Sequence, residues 1–255
     1  MNEVNLQTLL DFALDAVWQA GRLTLGYFQT QLAHERKADN TPVTIADRQA
    51  EQKLRELIGR YWPDHAILGE EYGQTAGSSG YQWILDPIDG TRSFVCGVPL
   101  YANLLALTYE GAPLLGVANF PALGDMLYAR RGGGCFWNGR SAHVSAIDKL
   151  SDAVLLASDL NTFGPKQPAW ERLIRATYIQ RTWGDAYGYF LVATGRAEIM
   201  ADPIMALWDA APFQVILEEA GGSFTNWQGE ATIYGGESLA TNGRLLSPAL
   251  DCIRA

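Results

Sequence analysis

Residues 83–91 read Trp83-Ile84-Leu85-Asp86-Pro87-Ile88-Asp89-Gly90-Thr91, and a Gly69-Glu70-Glu71 triplet lies a short loop upstream. An apolar run of strand type carries two carboxylates, Asp86 and Asp89, to its end. Pro87 is expected to halt the ladder there, and Gly90 to permit a tight turn. Gly90-Thr91-Arg92-Ser93 then offers hydroxyl and backbone N–H groups at a predicted helix start. Carboxylate oxygens suit Mg²⁺, and free N–H groups suit an anion. The stretch therefore implies the chemistry of a metal-dependent phosphatase.

Each of these residues also has a plainer use. Asp-Pro and Asp-Gly are common turn dipeptides. Asp209, in Trp208-Asp209-Ala210-Ala211, falls in the first turn of a predicted helix and could serve only as a cap. Asp47 stands three residues after Thr44, where an acidic side chain closes a capping box. A phosphatase that uses aspartate as nucleophile would carry a strand-end Asp-x-Asp pair. Here the two carboxylates are separated by Pro87 and Ile88, which puts them on opposite faces of an extended strand, so that chemistry is rejected.

The elements that must position these groups follow from the hydrophobic pattern. Leu6, Leu9, Leu10, Ala13, Ala16, Val17, Ala20 and Leu23 recur at helical spacing, predicting a helix over about 4–30. The polar run His34 to Asn40, closed by Thr41-Pro42, is expected to be a mobile loop. A second helix opens at Thr44 and ends at Tyr61-Trp62-Pro63-Asp64. Strands are predicted at Ala66-Ile67-Leu68, at Trp83-Ile84-Leu85 and, as an antiparallel meander, at 102–109, 114–119 and 126–130, with a loop over 74–80. The later half alternates. It has a strand at 154–157, helices over 168–177 and after Asp185, a strand at 197–201, a helix over 208–220 and a last strand at 239–241. Arg130 to Gly134 is glycine-rich, but it lacks the Lys-Ser/Thr ending of a phosphate-binding loop and reads as a hairpin turn. No repeat or linker divides the 255 residues, so one layered domain over 1–255 is expected.

Composition narrows the class. Hydrophobic residues make up 48% and charged residues 18%, enough for a sizeable core. The net charge of −9 argues against a nucleic-acid surface. It would also repel a phosphate ester unless bound cations reversed the local sign. The amino end lacks the basic region of a signal peptide, and no uncharged apolar run reaches the length of a membrane span. Cys96, Cys135 and Cys252 are odd in number and far apart, so neither a disulfide framework nor a zinc site is indicated, and a reduced, cytoplasmic setting is expected.

In order and approximate spacing, Glu70-Glu71, Asp86-Pro-Ile-Asp-Gly-Thr91 and Trp208-Asp209-Ala-Ala resemble the inositol monophosphatase family. Thr41-Pro-Val-Thr-Ile-Ala-Asp47 and Glu219-Ala-Gly-Gly222 match it too. The resemblance implies an α/β fold, a layered αβαβα sandwich of the inositol monophosphatase and sugar phosphatase type, and a homodimer. It implies two to three Mg²⁺ ions per site. Glu70, Asp86 and the Ile88 carbonyl would hold the first, and Asp86, Asp89 and Asp209 the second, with a weaker third near Glu70. The phosphate would lie on the ions and on the N–H groups of Gly90 and Thr91. Water polarised by Glu70 and by a Thr91–Asp47 pair would attack phosphorus in line with the leaving alkoxide, without a covalent intermediate.

Arg181-Thr-Trp-Gly-Asp185-Ala-Tyr-Gly-Tyr189 and the segment through Asp202-Pro203 resemble the histidinol-phosphate phosphatase branch more than the inositol branch. A carboxylate at Asp185, with Asp202 at the position of a family acidic residue that contacts substrate, suits an ammonium and an imidazole. Trp183 and Tyr187 fit either a substrate pocket or the core. The alternatives are an inositol-1-phosphate or broad-specificity phosphatase of the same fold, a bisphosphatase, for which no second basic phosphate site is evident, and an idle metal- or phosphate-binding protein.

Overall fold

A computed structural model gives the structure of the protein and describes residues 5–30, 32–36 and 42–254. Its helices are α1 (Leu6–Tyr27), α2 (Ile45–Tyr61), α3 (Thr91–Val95), α4 (Gln167–Ala176), α5 (Asp185–Ala193), α6 (Leu207–Glu219) and α7 (Leu246–Arg254). The first strands are β1 (His34–Arg36), β2 (Pro42–Thr44), β3 (Ala66–Gly69), β4 (Gly73–Thr75) and β5 (Tyr81–Asp89). The meander follows as β6 (Ala102–Tyr109), β7 (Ala112–Phe120), β8 (Asp125–Arg130), β9 (Gly134–Trp137) and β10 (Arg140–Ser141). The remaining strands are β11 (Val154–Leu156), β12 (Ile179–Arg181), β13 (Ile199–Asp202), β14 (Ser223–Thr225) and β15 (Ser238–Thr241).

Two large sheets result among the described residues. One has eight strands in the order β10-β9-β8-β7-β6-β5-β3-β4, and the other has five in the order β12-β11-β13-β15-β14. Strand alternation assigns side chains to layers. On β6, Leu105 and Leu107 face Leu9, Ala13 and Val17 of α1 and Leu54 of α2. The intervening Leu104 and Ala106 face α5 and α6 instead, through Phe190, Phe213 and Leu217. The same central cluster takes in Leu156, Met200 and Ala240 from the second sheet, whose far face is covered by Trp170 and Leu173 of α4 and Leu250 and Ile253 of α7. The order helix, sheet, helix, sheet, helix is the expected layered α/β sandwich. Because α6 lies between two sheets it is apolar nearly all round, with buried residues from Ala210 through Leu217. Among the described residues, no helix is long and apolar enough to cross a membrane.

Several expectations are corrected. The first helix starts at Leu6, where the Asn5 side chain accepts from Gln7 N at 2.8 Å, and ends at Tyr27 because Phe28 is extended. His34–Arg36 is a strand paired antiparallel with Pro42–Thr44, although the rest of the expected mobile loop, 37–41, lies outside the described residues. Gly73–Thr75 pairs with β3, which shortens the loop expected over 74–80. Pro87 does not halt the strand. Asp86 pairs with Leu104 and Asp89 with Ala102, so one extra residue is accommodated as a bulge at the position that lacks an N–H. The strands β12 and β14, three residues each, are too short to show a period, whereas the unanticipated α7 does show one, with Leu246, Ala249, Leu250 and Ile253 at helical spacing.

The central layer packs closely where Gly116 of β7 meets Pro212 of α6. A Cβ on Gly116 would stand 2.2 Å from the Pro212 carbonyl oxygen and 2.6 Å from its Cα. Both atoms are backbone and cannot rotate away. Gly116→Ala is therefore expected to destabilise the protein by about 1–3 kcal/mol, the usual effect of overpacking a core. Urea unfolding measures this, and an unchanged midpoint would contradict the packing described.

Candidate active site

The bulge in β5 turns both carboxylates toward the central layer. Asp86 Oδ1 accepts from the Ile88 N–H at 2.9 Å, and Asp89 Oδ2 accepts from the Ala186 N–H of α5 at 2.5 Å. Asn103 of β6 fixes the bulge itself by donating to the Pro87 carbonyl at 2.5 Å. Gly90 adopts a left-handed conformation (φ 78°) that leads straight into α3. Asp209 enters from the first turn of α6, where its Oδ2 accepts from Ala206 N at 3.2 Å. Asp86, Asp89 and Asp209 thereby present one carboxylate oxygen each within 4.8 Å of one another. Glu70, at the tip of the β3–β4 hairpin, faces the same cavity of about 470 Å³, as do Ile88, Gly90, Thr91, Asp185 and Asp202.

Asp47 stands apart from the cavity lining. It is buried at the start of α2 and completes the expected capping box, its Oδ2 accepting from the Thr44 N–H at 2.8 Å and the Thr44 hydroxyl at 2.5 Å. Its Oδ1 has no hydrogen-bond partner. The expected Thr91–Asp47 hydrogen bond is not formed, because the Thr91 hydroxyl donates instead to the Ile88 carbonyl at 3.0 Å.

Gathering these groups out of water raises their pKa values. Burial is the main cause for Asp86 and Asp89, which rise well above the ordinary range. Glu70 and Asp209 add repulsion at Asp86, and Asp185 and Asp209 add it at Asp89. Burial likewise takes Asp209 to about 7 and Asp185 to about 6. Asp47 and Asp202 are raised for the same reason. A divalent cation relieves both desolvation and repulsion, and the donor set consists of carboxylate oxygens beside the Ile88 carbonyl. An all-oxygen set suits hard ions such as Mg²⁺, Mn²⁺ or Ca²⁺, so the residues fit the metal that the sequence implied.

An adjoining wall of the cavity holds a second group of acids. Asp185 sits at a left-handed φ of 51° as the first residue of α5, whose opening N–H groups donate to Ser158 Oγ and Asp89 Oδ2 and not to the Asp185 carboxylate, so capping does not account for it. Its N–H donates to Ser158 Oγ at 2.8 Å. Its Oδ2 lies 3.1 Å from the point a Cβ on Gly90 would occupy, which sets Asp185 beside the α3 start. Asp202 lies behind, with Oδ1 accepting from Ser158 N and Oδ2 from Ser158 Oγ and Tyr189 OH at 2.7 Å. The same wall includes Asp159, paired with Arg92 at 3.1 Å. Sequence reading missed Ser158, Asp159 and Arg92 as site residues. Ser158 and Asp159 follow β11, which pairs in parallel with β12 on one side and β13 on the other, and the end of such a strand was the available signal. Tyr187 packs on Phe120 and Phe190 and belongs to the core, whereas Trp183 is half exposed beneath Arg181. The Arg130–Gly134 turn is a hairpin whose Gly132 and Gly134 N–H groups donate to Glu219 at 2.7 Å.

These shifts set how stability depends on pH when no cation is bound. Aspartate in the unfolded chain titrates near 3.9, about 2 to 3 pH units below Asp185 and Asp209 in the folded protein. Between those limits the native state holds protons that the unfolded chain has released, so stability falls as pH rises through the window. In the presence of a chelator, the Tm is expected to be higher at about pH 5.5 than at about pH 8. An added divalent cation is expected to raise the Tm more at the higher pH, where fewer protons must be displaced. Differential scanning calorimetry at the two pH values checks this, and a Tm that is flat across them would contradict the buried cluster.

Residues 5–251 match the inositol monophosphatase family. The chain is 45% identical over 235 residues to a histidinol-phosphatase of Chlorobaculum parvum, covering 91% of each chain. It is 42% identical to a histidinol-phosphatase of Mycobacterium tuberculosis, covering 86% of this chain and 87% of that one. Its fold superimposes on the crystal structure of the extragenic suppressor protein suhB from Bartonella henselae with a TM-score of 0.91, at 26% identity over 97% of this chain and 98% of the other. The chain belongs to the inositol monophosphatase family.

Proposed function

We propose that the protein is a Mg²⁺-dependent phosphomonoesterase that hydrolyses histidinol phosphate to histidinol and phosphate. The observation that carries this reading is a cavity with two acidic walls. The cluster Asp86, Asp89 and Asp209 is built for cations, and a further group, Asp185, Asp202 and Asp159, lines the same cavity beside it. Relatives at 42% and 45% identity carry the histidinol-phosphatase name, which supports the choice of substrate.

Glu70, Asp86, Asp89, Asp209 and the Ile88 carbonyl would hold the Mg²⁺ ions, which when bound neutralise phosphate oxygens and acidify water. The N–H groups of Gly90 and Thr91 orient the phosphate at the start of α3. Glu70 receives the proton of the attacking water. The Thr91 hydroxyl gives up the Ile88 carbonyl for Asp47 Oδ1, the buried oxygen left without a partner, and its own oxygen then accepts from the same water. On the leaving-group side, Asp185 bonds the substrate ammonium, while Asp202 adds charge and fixes Ser158 beneath it. The net charge of −9 opposes nucleic-acid binding, and the free Cys96, Cys135 and Cys252 favour a reducing cytoplasm. The resemblance to the family supports a homodimer.

Phosphate release with Mg²⁺ is expected to be much faster from histidinol phosphate than from inositol-1-phosphate, and the reverse preference would overturn the substrate assignment. Glu70→Gln and Asp86→Asn should each lower kcat on the order of 100-fold or more while the far-ultraviolet circular dichroism stays unchanged. Near-normal turnover in either would remove the proposed site. Asp185→Ala should cost roughly 10- to 100-fold in kcat/KM for histidinol phosphate, as expected for one lost charge-assisted hydrogen bond, and far less for a small neutral ester. Equal losses on both would deny Asp185 its role in specificity.

A further inference from the structure

Glu70 stands at the tip of a hairpin, and a hairpin tip is an imprecise mount for a metal ligand unless something grips it. The grip comes from α2. Glu51 is fully buried, with its carboxylate directly beneath the turn. Its Oε2 accepts from the Glu71 N–H at 2.7 Å and its Oε1 from the Tyr72 N–H at 3.1 Å, the two residues that follow Glu70. One helical turn further on, Arg55 Nε donates to Glu51 Oε1 at 2.7 Å. The Arg55 guanidinium also donates to the Gly73 carbonyl and, at 3.0 Å, to Thr75 Oγ1 on β4. Gly69 lets the carboxylate reach this place, since a Cβ there would lie 2.2 Å from Glu51 Oε1.

Glu51 takes no direct part in the cavity, and its acceptors are filled by protein donors. A buried carboxylate is costly unless paired and hydrogen-bonded, and here both conditions are met by groups that flank one ligand. We propose that Glu51 and Arg55 form a clamp that positions Glu70 for cation binding, Glu51 by fixing the backbone just after it and Arg55 by fixing the returning strand. The inference rests on the reading of Glu70 as a cation ligand. Glutamine is nearly isosteric with Glu51, yet its amide NH₂ would face either the Arg55 Nε–H or a backbone N–H, donor against donor. Glu51→Gln therefore loosens the turn without emptying the space.

The test is Mn²⁺ binding to the full chain, measured by titration calorimetry without substrate, for wild type and four variants. Glu51→Gln is expected to weaken Mn²⁺ binding on the order of 10-fold or more, as loss of groups that orient a metal ligand does. Arg55→Gln, at a partly exposed site that leaves the core intact, is expected to weaken it several-fold, and it decides the matter if Glu51→Gln fails to fold. Leu54→Ala, on the same helix but packed in the core, should lower the Tm and leave Mn²⁺ affinity unchanged. If folded Glu51→Gln or Arg55→Gln binds Mn²⁺ as wild type does, or if Leu54→Ala weakens binding equally, the clamp is overturned. Glu70→Gln separates the two readings. Unchanged Mn²⁺ affinity in that variant would overturn the assignment of Glu70 itself, on which the clamp depends.

Discussion

Asp86, Asp89 and Asp209 bring carboxylate oxygens within 4.8 Å of one another in a largely buried setting, an arrangement that opposes folding while no cation is present. Much of the local structure is what holds those groups there regardless. One oxygen of each is tied to a backbone N–H: Asp86 to Ile88, Asp89 to Ala186 and Asp209 to Ala206. Each carboxylate is oriented by the chain it rides on or the helix it meets. The three backbone partners belong to the β5 bulge and to the starts of α5 and α6, so the cluster depends on the sheet and the central helices docking in register. Native packing between the two sheets supplies that register, with α6 wedged against Gly116 on one side and Phe224 and Ala240 on the other.

The same tie-points explain why the capping and ligand readings of these residues are not rivals. Asp47 caps α2 with one oxygen and leaves the other without a partner. Asp209 bonds the Ala206 N–H at the start of α6 while projecting into the cavity. An aspartate that spends one oxygen on a nearby backbone N–H loses rotamer freedom and becomes a pre-oriented ligand through the other. Cap chemistry in the sequence is therefore compatible with the proposed site roles of Asp47 and Asp209.

What the sequence made legible divides along physical lines. Long amphipathic helices, the meander and the order Glu70, Asp86, Asp89, Asp209 could be read because period and spacing are local properties. The continuation of β5 through Pro87 could not, since a bulge depends on the partner strand and on Asn103 donating to the Pro87 carbonyl. Glu51 and Arg55 stand four residues apart, the spacing of an ordinary helix-surface ion pair. Only the β3–β4 hairpin folding over α2 turns Glu51 into a buried acceptor. The pairing of Thr91 with Ile88 is likewise invisible before the bulge exists. Three-residue edge strands such as β12 and β14 carry too few side chains for any period to emerge.

Charge links the site to its substrate. A chain with net charge −9 must admit a phosphate ester, and cations held by Asp86, Asp89 and Asp209 would reverse the sign only on one wall. Among the described residues lining the cavity, Arg92 is the one with a cationic side chain, and Asp159 already engages it. Asp185 and Asp202 then leave the leaving-group wall negative. A second phosphate would meet repulsion there, and a neutral polyol would find hydrogen-bond acceptors without electrostatic reward. An ammonium gains both the hydrogen bonds and the field. On the proposed reading the two walls select a molecule that is anionic at one end and cationic at the other, which is the charge pattern of an amino-alcohol phosphate.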